Sequence, residues 1–402
     1  MLALPLILLV ASQVNIDWNK TPDQYWIGQH WHANRLQDWQ VKNNRIVCTE
    51  VSERLPMRTL HLLSARPNGD FELQVTTGAI DPSNSPNENA WSGLLFGVGN
   101  DEIDYRLSAL VHHVPAANGG YIAGVDHKGF VFLRNNNIPV GGTSLWSISK
   151  KIEPADLPLI EPIHSFGKGY CDSRRPIVLH VSQNSFTCTI TAKEVGTGTN
   201  ISQATYNLQP SRTGGVALVS HYGPKGSKQG HWFDDFSFTG TDNSFYPERA
   251  FGPVLSTLYT VSDQKMKMTL QFPPLYGKPT AILRFADHEE HASIDTTSWT
   301  ATFSMSPWNS EIDTPFEAFL DGNPTGYKGI IRKEPNPEGS ITVAALTCHK
   351  TYTGNLQWNE NGLWFPQADI VNAALARNAD LLYFSGDQIY EGDLTPAHQR
   401  NE

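Results

Sequence analysis

The stretch "PIVLHVSQNSFTCTITAKEV" (176–195) alternates apolar and polar side chains along most of its length. That period of two is the mark of β-structure with one face buried. The same texture recurs in "DFELQVTTGAI" (70–80), "WSGLLFGVG" (91–99), "GYIAGVDHKGFVFLR" (120–134), "GGVALVSHYG" (214–223) and "GHWFDDFSFTG" (230–240), with Gly, Asn, Pro and Ser between the runs. Short strands at such regular spacing, from about Asn15 to Thr241, predict two antiparallel sheets packed face to face.

Composition points the same way. Only 17% of the 402 residues are charged against 39% hydrophobic, and Gly, Pro, Trp, Tyr and Phe are plentiful, which favours short strands and turns over long helices. The chain is read as mainly β and, by length, as two to four domains. The net charge of -10 is dispersed, and no Lys/Arg stripe alternates with aromatic residues, so no nucleic-acid-binding surface is expected. Cys48, Cys171, Cys188 and Cys348 are widely spaced without a CxxC. They exclude a zinc ribbon and a disulfide-dense scaffold, and leave room for one bridge, Cys171–Cys188.

The opening "MLALPLILLVASQ" has an apolar core from Leu2 to Val10 followed by small residues. Residues 1–12 read as a secretory signal, although its start carries no Lys or Arg; a buried first strand is the competing reading. The run is too short to span a bilayer, which needs about 20 apolar residues. No longer apolar run follows, so a secreted or periplasmic protein without a transmembrane segment is expected.

After the linker-like "FYPERAFGP" (245–253), the runs "KMKMTLQFPPL" (265–275), "PTAILRFADHE" (279–289), "SWTATFSMSPW" (298–308), "FEAFLDG" (316–322) and "YKGIIRKEP" (327–335) predict a second, smaller sandwich of immunoglobulin or fibronectin size over 250–336. Beyond "NPEGS" the texture changes. "ITVAALTC" (341–348) and "DLLYFSGD" (380–387) are apolar runs flanking "FPQADIVNAALARNA" (365–379), where Ile370, Ala374 and Leu375 fall at helical spacing. This is a β-α-β unit, whose parallel strands are expected to be buried on both faces. Both strands then end on one sheet edge, where ligands sit in such sheets. That edge receives Cys348 and His349 from the first strand, Asp387 and Tyr390 from the second. Anionic donors of this kind suit a hard trivalent ion such as ferric iron, and do not exclude zinc or manganese.

Two resemblances follow from these residues. "GGVALVSHYG" and "FDDFSFTG" (233–240) resemble the concanavalin-like jelly-roll domains related to laminin G and to many glycan-binding modules. The likeness implies a jelly-roll sandwich over 13–245 with a glycan or cell-surface polymer as partner, and in it Asp234 and Asp235 are expected to cap a strand edge rather than hold calcium. "FSGDQIYEGD" (384–393) resembles the second metal motif of the alkaline phosphatase D (PhoD-like) metallophosphatases, and "ITVAALTC" their first strand, which ends in a metal-binding cysteine. This resemblance implies that residues 337–402 open a metallophosphatase domain, that Cys348 and Tyr390 bind Fe3+, and that Asp387 bridges the iron to Ca2+. If the strand continues that far, His349 is expected to point to the opposite side from Cys348, as a supporting group, a substrate contact, or a side chain that simply packs or is solvated. The implied activity is phosphoester hydrolysis by an exported enzyme, with no catalytic residue assigned.

The departures are specific. The family's Asn-His and Gly-His-x-His segments do not occur in these 402 residues, nor does a twin-arginine leader. The sequence therefore looks like the N-terminal part of such an enzyme and is expected to be inactive alone. The alternative is a non-enzymatic, secreted carbohydrate-binding β-sandwich protein.

Other candidates are weaker. "QHWHA" sets His30 and His32 at a metal-compatible spacing, but a Trp-flanked pair is expected to pack. "VHH" (111–113) and "HEEH" (288–291) carry less still, and the second lacks the HExxH spacing of a zinc protease. Trp26, Trp31, Trp39 and Trp91 are expected in the core rather than on a sugar-stacking platform.

Overall fold

The computed structural model describes residues 8–10, 13–16, 18–51, 56–83, 87–100, 103–116, 118–137, 157–167, 175–208, 213–222, 228–285, 288–335, 339–349 and 367–387. The chain is mainly β, in several antiparallel sheets and one small parallel one.

The quoted stretch forms a hairpin, Ile177–Asn184 against Thr187–Glu194, closed by a two-residue loop at Ser185 and Phe186. Ser185 takes a positive φ of 48°, the left-handed backbone that tight hairpin turns require. Leu179, Val181, Ile190 and Ala192 point inward and are fully buried, as the period of two predicts. This hairpin belongs to a ten-stranded antiparallel sheet centred on the long strands Ala65–Ala79 and His231–Phe245. A second, six-stranded sheet runs in the order Val131–Asn135, Tyr121–Asp126, Trp91–Val98, Gly215–His221, Met57–Leu62, Trp31–His32. Side chains from both sheets, among them Leu73, Val75, Phe233 and Phe236 from one and Leu60, Leu94, Phe96 and Leu218 from the other, form one core. The expected sandwich is therefore present.

Three details differ from the sequence reading. Strict alternation fails at Phe233-Asp234-Asp235-Phe236, because a bulge between Asp234 and Ser237 inserts an extra residue. Both phenylalanines thereby reach the core. Asp234 faces Arg45 at 3.6 Å, while Asp235 turns outward with φ 48°. Secondly, Cys188 is a free, buried thiol, so the Cys171–Cys188 bridge is not formed; Cys171 lies outside the described residues. Thirdly, a seven-residue helix, α1 (Tyr105–Val111), sits between two strands of the six-stranded sheet. Asp104 caps it by accepting the Arg106 N–H, and the "VHH" pair follows from its last turn. At the other end of the chain's first unit, Leu8–Val10 pairs with Gln13–Ile16 as a short strand.

The second unit is a three-stranded sheet facing a four-stranded one, both antiparallel. Its core holds Met266, Met268, Leu270, Leu283, Phe303, Phe316 and Leu320. Two strands beyond those predicted complete it, Ser256–Ser262 and Glu289–Ser293.

In the third unit Val343–Leu346 and Leu381–Phe384 pair in parallel, and α2 (Ala368–Ala376) lies between them in sequence. The β-α-β order is present, but the burial is not as expected. All four residues of Leu381–Phe384 are exposed, and α2 buries none. Two strands and one helix form too thin a stack to cover both sheet faces.

Candidate functional site

Each parallel strand ends in a left-handed residue. After Leu346 the first chain turns at Cys348 (φ 59°), and after Phe384 the second turns at Gly386 (φ 139°) and Asp387 (φ 58°). The value at Gly386 lies where side chains are disfavoured, and its surroundings are open, so backbone conformation alone selects glycine there. The two turns are laced together: the Cys348 N–H donates to the Gly386 carbonyl at 3.3 Å, and the His349 N–H to the Asp387 carbonyl at 2.9 Å. The consequence is that the Cys348 thiol lies 3.6 Å from Oδ2 of Asp387.

The spacing and donor set fit a shared ion. Metal–sulfur and metal–oxygen bonds of about 2.3 and 2.1 Å, at a tetrahedral angle, place sulfur and oxygen roughly 3.6 Å apart. Among the described residues no group of three or more His, Cys, Asp or Glu is arranged to hold a metal, so Cys348 and Asp387 stand as a pair. Tyr390, the third expected ligand, lies outside the described residues. The strand Val343–Leu346 ends before Cys348, so strand alternation does not extend to His349. Its ring lies 5.5 Å from that of Phe384.

The other candidate histidines and tryptophans named from the sequence pack in the cores or meet neighbouring side chains. His30 meets the Ser64 hydroxyl at 2.8 Å, His32 lies 4.8 Å from the Phe251 ring, and burial lowers the pKa of both. His288 and His291 are exposed and pair with Glu290 and Glu289. Trp31 and Trp39 sit in the first core and Trp26 in the second. Trp91 packs on the outer face of the six-stranded sheet against Phe132 and His221.

A cleft of about 600 Å3 opens beside α1, and sequence reasoning missed it. Its lining comes from separate segments: His61 and Arg66, then Asn100, Tyr105 of α1, and Tyr246, Glu248 and Arg249 of what reads as a linker. The Arg249 guanidinium lies 3.5 Å from the Tyr246 ring centre and 4.5 Å from that of Tyr105. Arg66 approaches Tyr246 from 5.6 Å and donates to the Asn100 carbonyl. The one local signal was Tyr246 followed by Arg249 across a single 3-10 turn.

No protein-family model matches the chain, and no curated protein does. Solved structures similar to part of it include a carbohydrate-binding module of Bacillus subtilis (11% identity, 53% of this chain, 98% of that one, TM-score 0.30). A lectin complexed with galactose, UEA-II, is similar at 10% identity, over 58% of this chain and all of that one, with TM-score 0.35. The Ca2+- and Man-bound exoplasmic/lumenal domain of VIP36 is similar at 10% identity, over 52% and 81%, with TM-score 0.32. Likenesses this slight carry no argument about this chain.

Proposed function

We propose that the third unit is the opening of a PhoD-like phosphoester hydrolase domain, and that Cys348 and Asp387 are two of its metal ligands. The observation that carries this reading is the 3.6 Å approach of thiol and carboxylate at the carboxyl ends of two adjacent parallel strands, where α/β sheets place their ligands. Cys348 offers one sulfur donor. Asp387, with two oxygens, is able to face two ions at once, and the resemblance adds Tyr390 as a further ligand. Iron and calcium, when bound, would polarise the phosphoryl oxygens and lower the pKa of a bound water. The apolar strand Leu381–Phe384, exposed throughout, supports the same reading, since such a strand is normally covered by the layers of a larger α/β domain.

The test is metal content. The chain is loaded with Fe3+ and Ca2+, freed of excess, and analysed for both elements. Wild type is expected to retain iron and Asp387→Ala to lose it. Equal retention by Asp387→Ala would remove Asp387 from the site.

A second reading concerns the first sandwich, as a glycan-binding module of a protein exported from the cytoplasm. The cleft beside α1 favours it, with tyrosine rings, guanidinium groups and hydroxyl-matching polar groups in one concave surface. Glycan-array screening of the full chain checks it. An array with no signal above background would remove this role.

A further inference from the structure

Five histidines gather where α1 meets the edge of the six-stranded sheet. His32 and His61 stand directly opposite each other on its last two strands, Trp31–His32 and Met57–Leu62. His112 and His113 follow α1 and lie near enough to act electrostatically on His61, as does His32. His61, His112 and His113 are 4%, 0% and 7% exposed. His30 completes the group, its Nδ1 meeting the Ser64 hydroxyl at 2.8 Å.

Two of these rings cannot accommodate a second proton. Nε2 of His61 and Nδ1 of His32 are buried without a hydrogen-bond partner. A charged imidazole carries hydrogen on both nitrogens, so protonation would create an N–H with no acceptor and place a charge out of reach of water. Burial lowers the pKa of both rings, that of His61 well below its usual value with the neighbouring histidines adding to the effect.

The surrounding groups do not compensate. They are Arg66 on Ala65–Ala79, Asp104, Tyr105 and Arg106 at the start of α1, and Tyr246, Glu248 and Arg249 on the linker, while Gly215–His221 sets Ala217 beside His61. Asp104 is held by the Arg106 guanidinium at 2.9 Å, and Glu248 is exposed. Among the described residues neither carboxylate forms an ion pair with His30, His32 or His61.

The linker crosses the same histidines. The Tyr246 N–H donates to the Ser64 carbonyl and the Phe251 N–H to the Gln29 carbonyl, each at 2.7 Å. The Phe251 ring lies 4.8 Å from that of His32, and the Arg249 guanidinium 4.5 Å from the Tyr105 ring centre of α1. With seven residues, α1 relies on packing more than on its own hydrogen bonds. It and the linker can therefore part from the histidines without breaking a strand ladder.

We propose that this cluster is an acid-sensitive latch: proton uptake by His61 and His32 releases α1 and the linker Tyr246–Phe251 from the sheet edge while the two sheets stay folded. Opening bares the cleft and loosens the connection to the second sandwich. The inference is independent of the two functional readings above. Its sign follows from the rings being neutral when closed and titrating near 6.5 once opened. The latch is shut above that pH, and at pH 5 proton uptake by His61 alone favours the open form about 30-fold.

The experiment is amide hydrogen exchange of the full chain at pH 7.5 and pH 5, read by mass spectrometry and corrected for the intrinsic pH dependence of exchange. Protection of residues 105–113 and 246–251 is expected to fall at pH 5 at least tenfold more than that of the hairpin strand Ile177–Asn184. His61→Gln is expected to remove most of that difference. Equal protection of residues 105–113 at both pH values would overturn the latch. So would a fall of the same size in the hairpin, which would assign the acid response to the whole sandwich. A His61→Gln variant that opens at pH 5 as wild type does would remove His61 as the sensing group. Should that variant not fold, the wild-type comparison decides alone.

Discussion

The thiol of Cys348 and the carboxylate of Asp387 meet at 3.6 Å although they stand 39 positions apart in sequence. The third unit brings them together through its parallel strand pair and the two left-handed turns that follow. Cys348 is also exposed, whereas Cys48 and Cys188 are buried, and burial pushes both of those thiols up to about 12.

Thiol reactivity should follow that division. At pH 8 in the folded chain, iodoacetamide is expected to label Cys348 within minutes and to leave Cys48 and Cys188 largely unmodified, since only the thiolate attacks. Peptide mass spectrometry reads each site separately. Loading with Fe3+ should slow labelling of Cys348 in wild type and not in Asp387→Ala. Labelling at an unchanged rate with and without metal would count against a sulfur–metal bond.

Acid should weaken the first sandwich through its buried histidines. His231 is buried, bonded through Nδ1 to the Ser220 hydroxyl at 3.0 Å, with its pKa pushed down from 6.5 to about 3 by desolvation and by the neighbouring His221. A base with a depressed folded pKa favours the neutral form in the native state. Its contribution is therefore complete above pH 6.5 and drains as pH falls from 6.5 towards 3, by about 1.4 kcal/mol per unit. At pH 5 the loss from His231 alone is about 2 kcal/mol, and His61, shifted in the same direction, adds to it. Urea unfolding at pH 5 and pH 7.5 measures the difference. His231→Gln should flatten the dependence over this window; an unchanged slope would show that His231 is not the group being protonated.

How much of this was legible in the sequence depended on whether a feature was local. Leu179 and Val181, or Ile190 and Ala192, announce their inward face by period alone, and the hairpin joining them needs only two residues to close. The β-α-β unit was legible because its apolar runs and helical spacing are also local. Asp387 beside Cys348 followed from one rule about parallel strands. The cleft obeyed no such rule. His61, Arg66, Tyr105 and Arg249 are up to 188 residues apart, and only the fold of both long strands and α1 sets them around one concavity. The bulge after Asp234 was hidden for another reason: an inserted residue breaks the very periodicity by which a strand is recognised.

Two strands of the six-stranded sheet approach each other closely at a pair of glycines. Gly93 and Gly124 stand directly opposite each other on Trp91–Val98 and Tyr121–Asp126. A methyl group on Gly93 would strike the Ala123 carbonyl oxygen and come within 2.8 Å of the Gly124 Cα. These are backbone atoms, tied into ladders on both sides, and they cannot swing aside as a flexible side chain would. On Gly124 a methyl group would instead meet the Phe132 ring, which packs edge-on against Trp91 at 5.4 Å. Gly93→Ala is therefore expected to destabilise the chain by about 1–3 kcal/mol, the usual cost of overpacking, by spreading the two strands under the Phe132–Trp91 contact. Urea unfolding followed by tryptophan fluorescence measures it. A Gly93→Ala variant within about 0.5 kcal/mol of wild type, the range of an ordinary surface change, would show that these strands part without cost and that the glycine pair is not what sets their spacing.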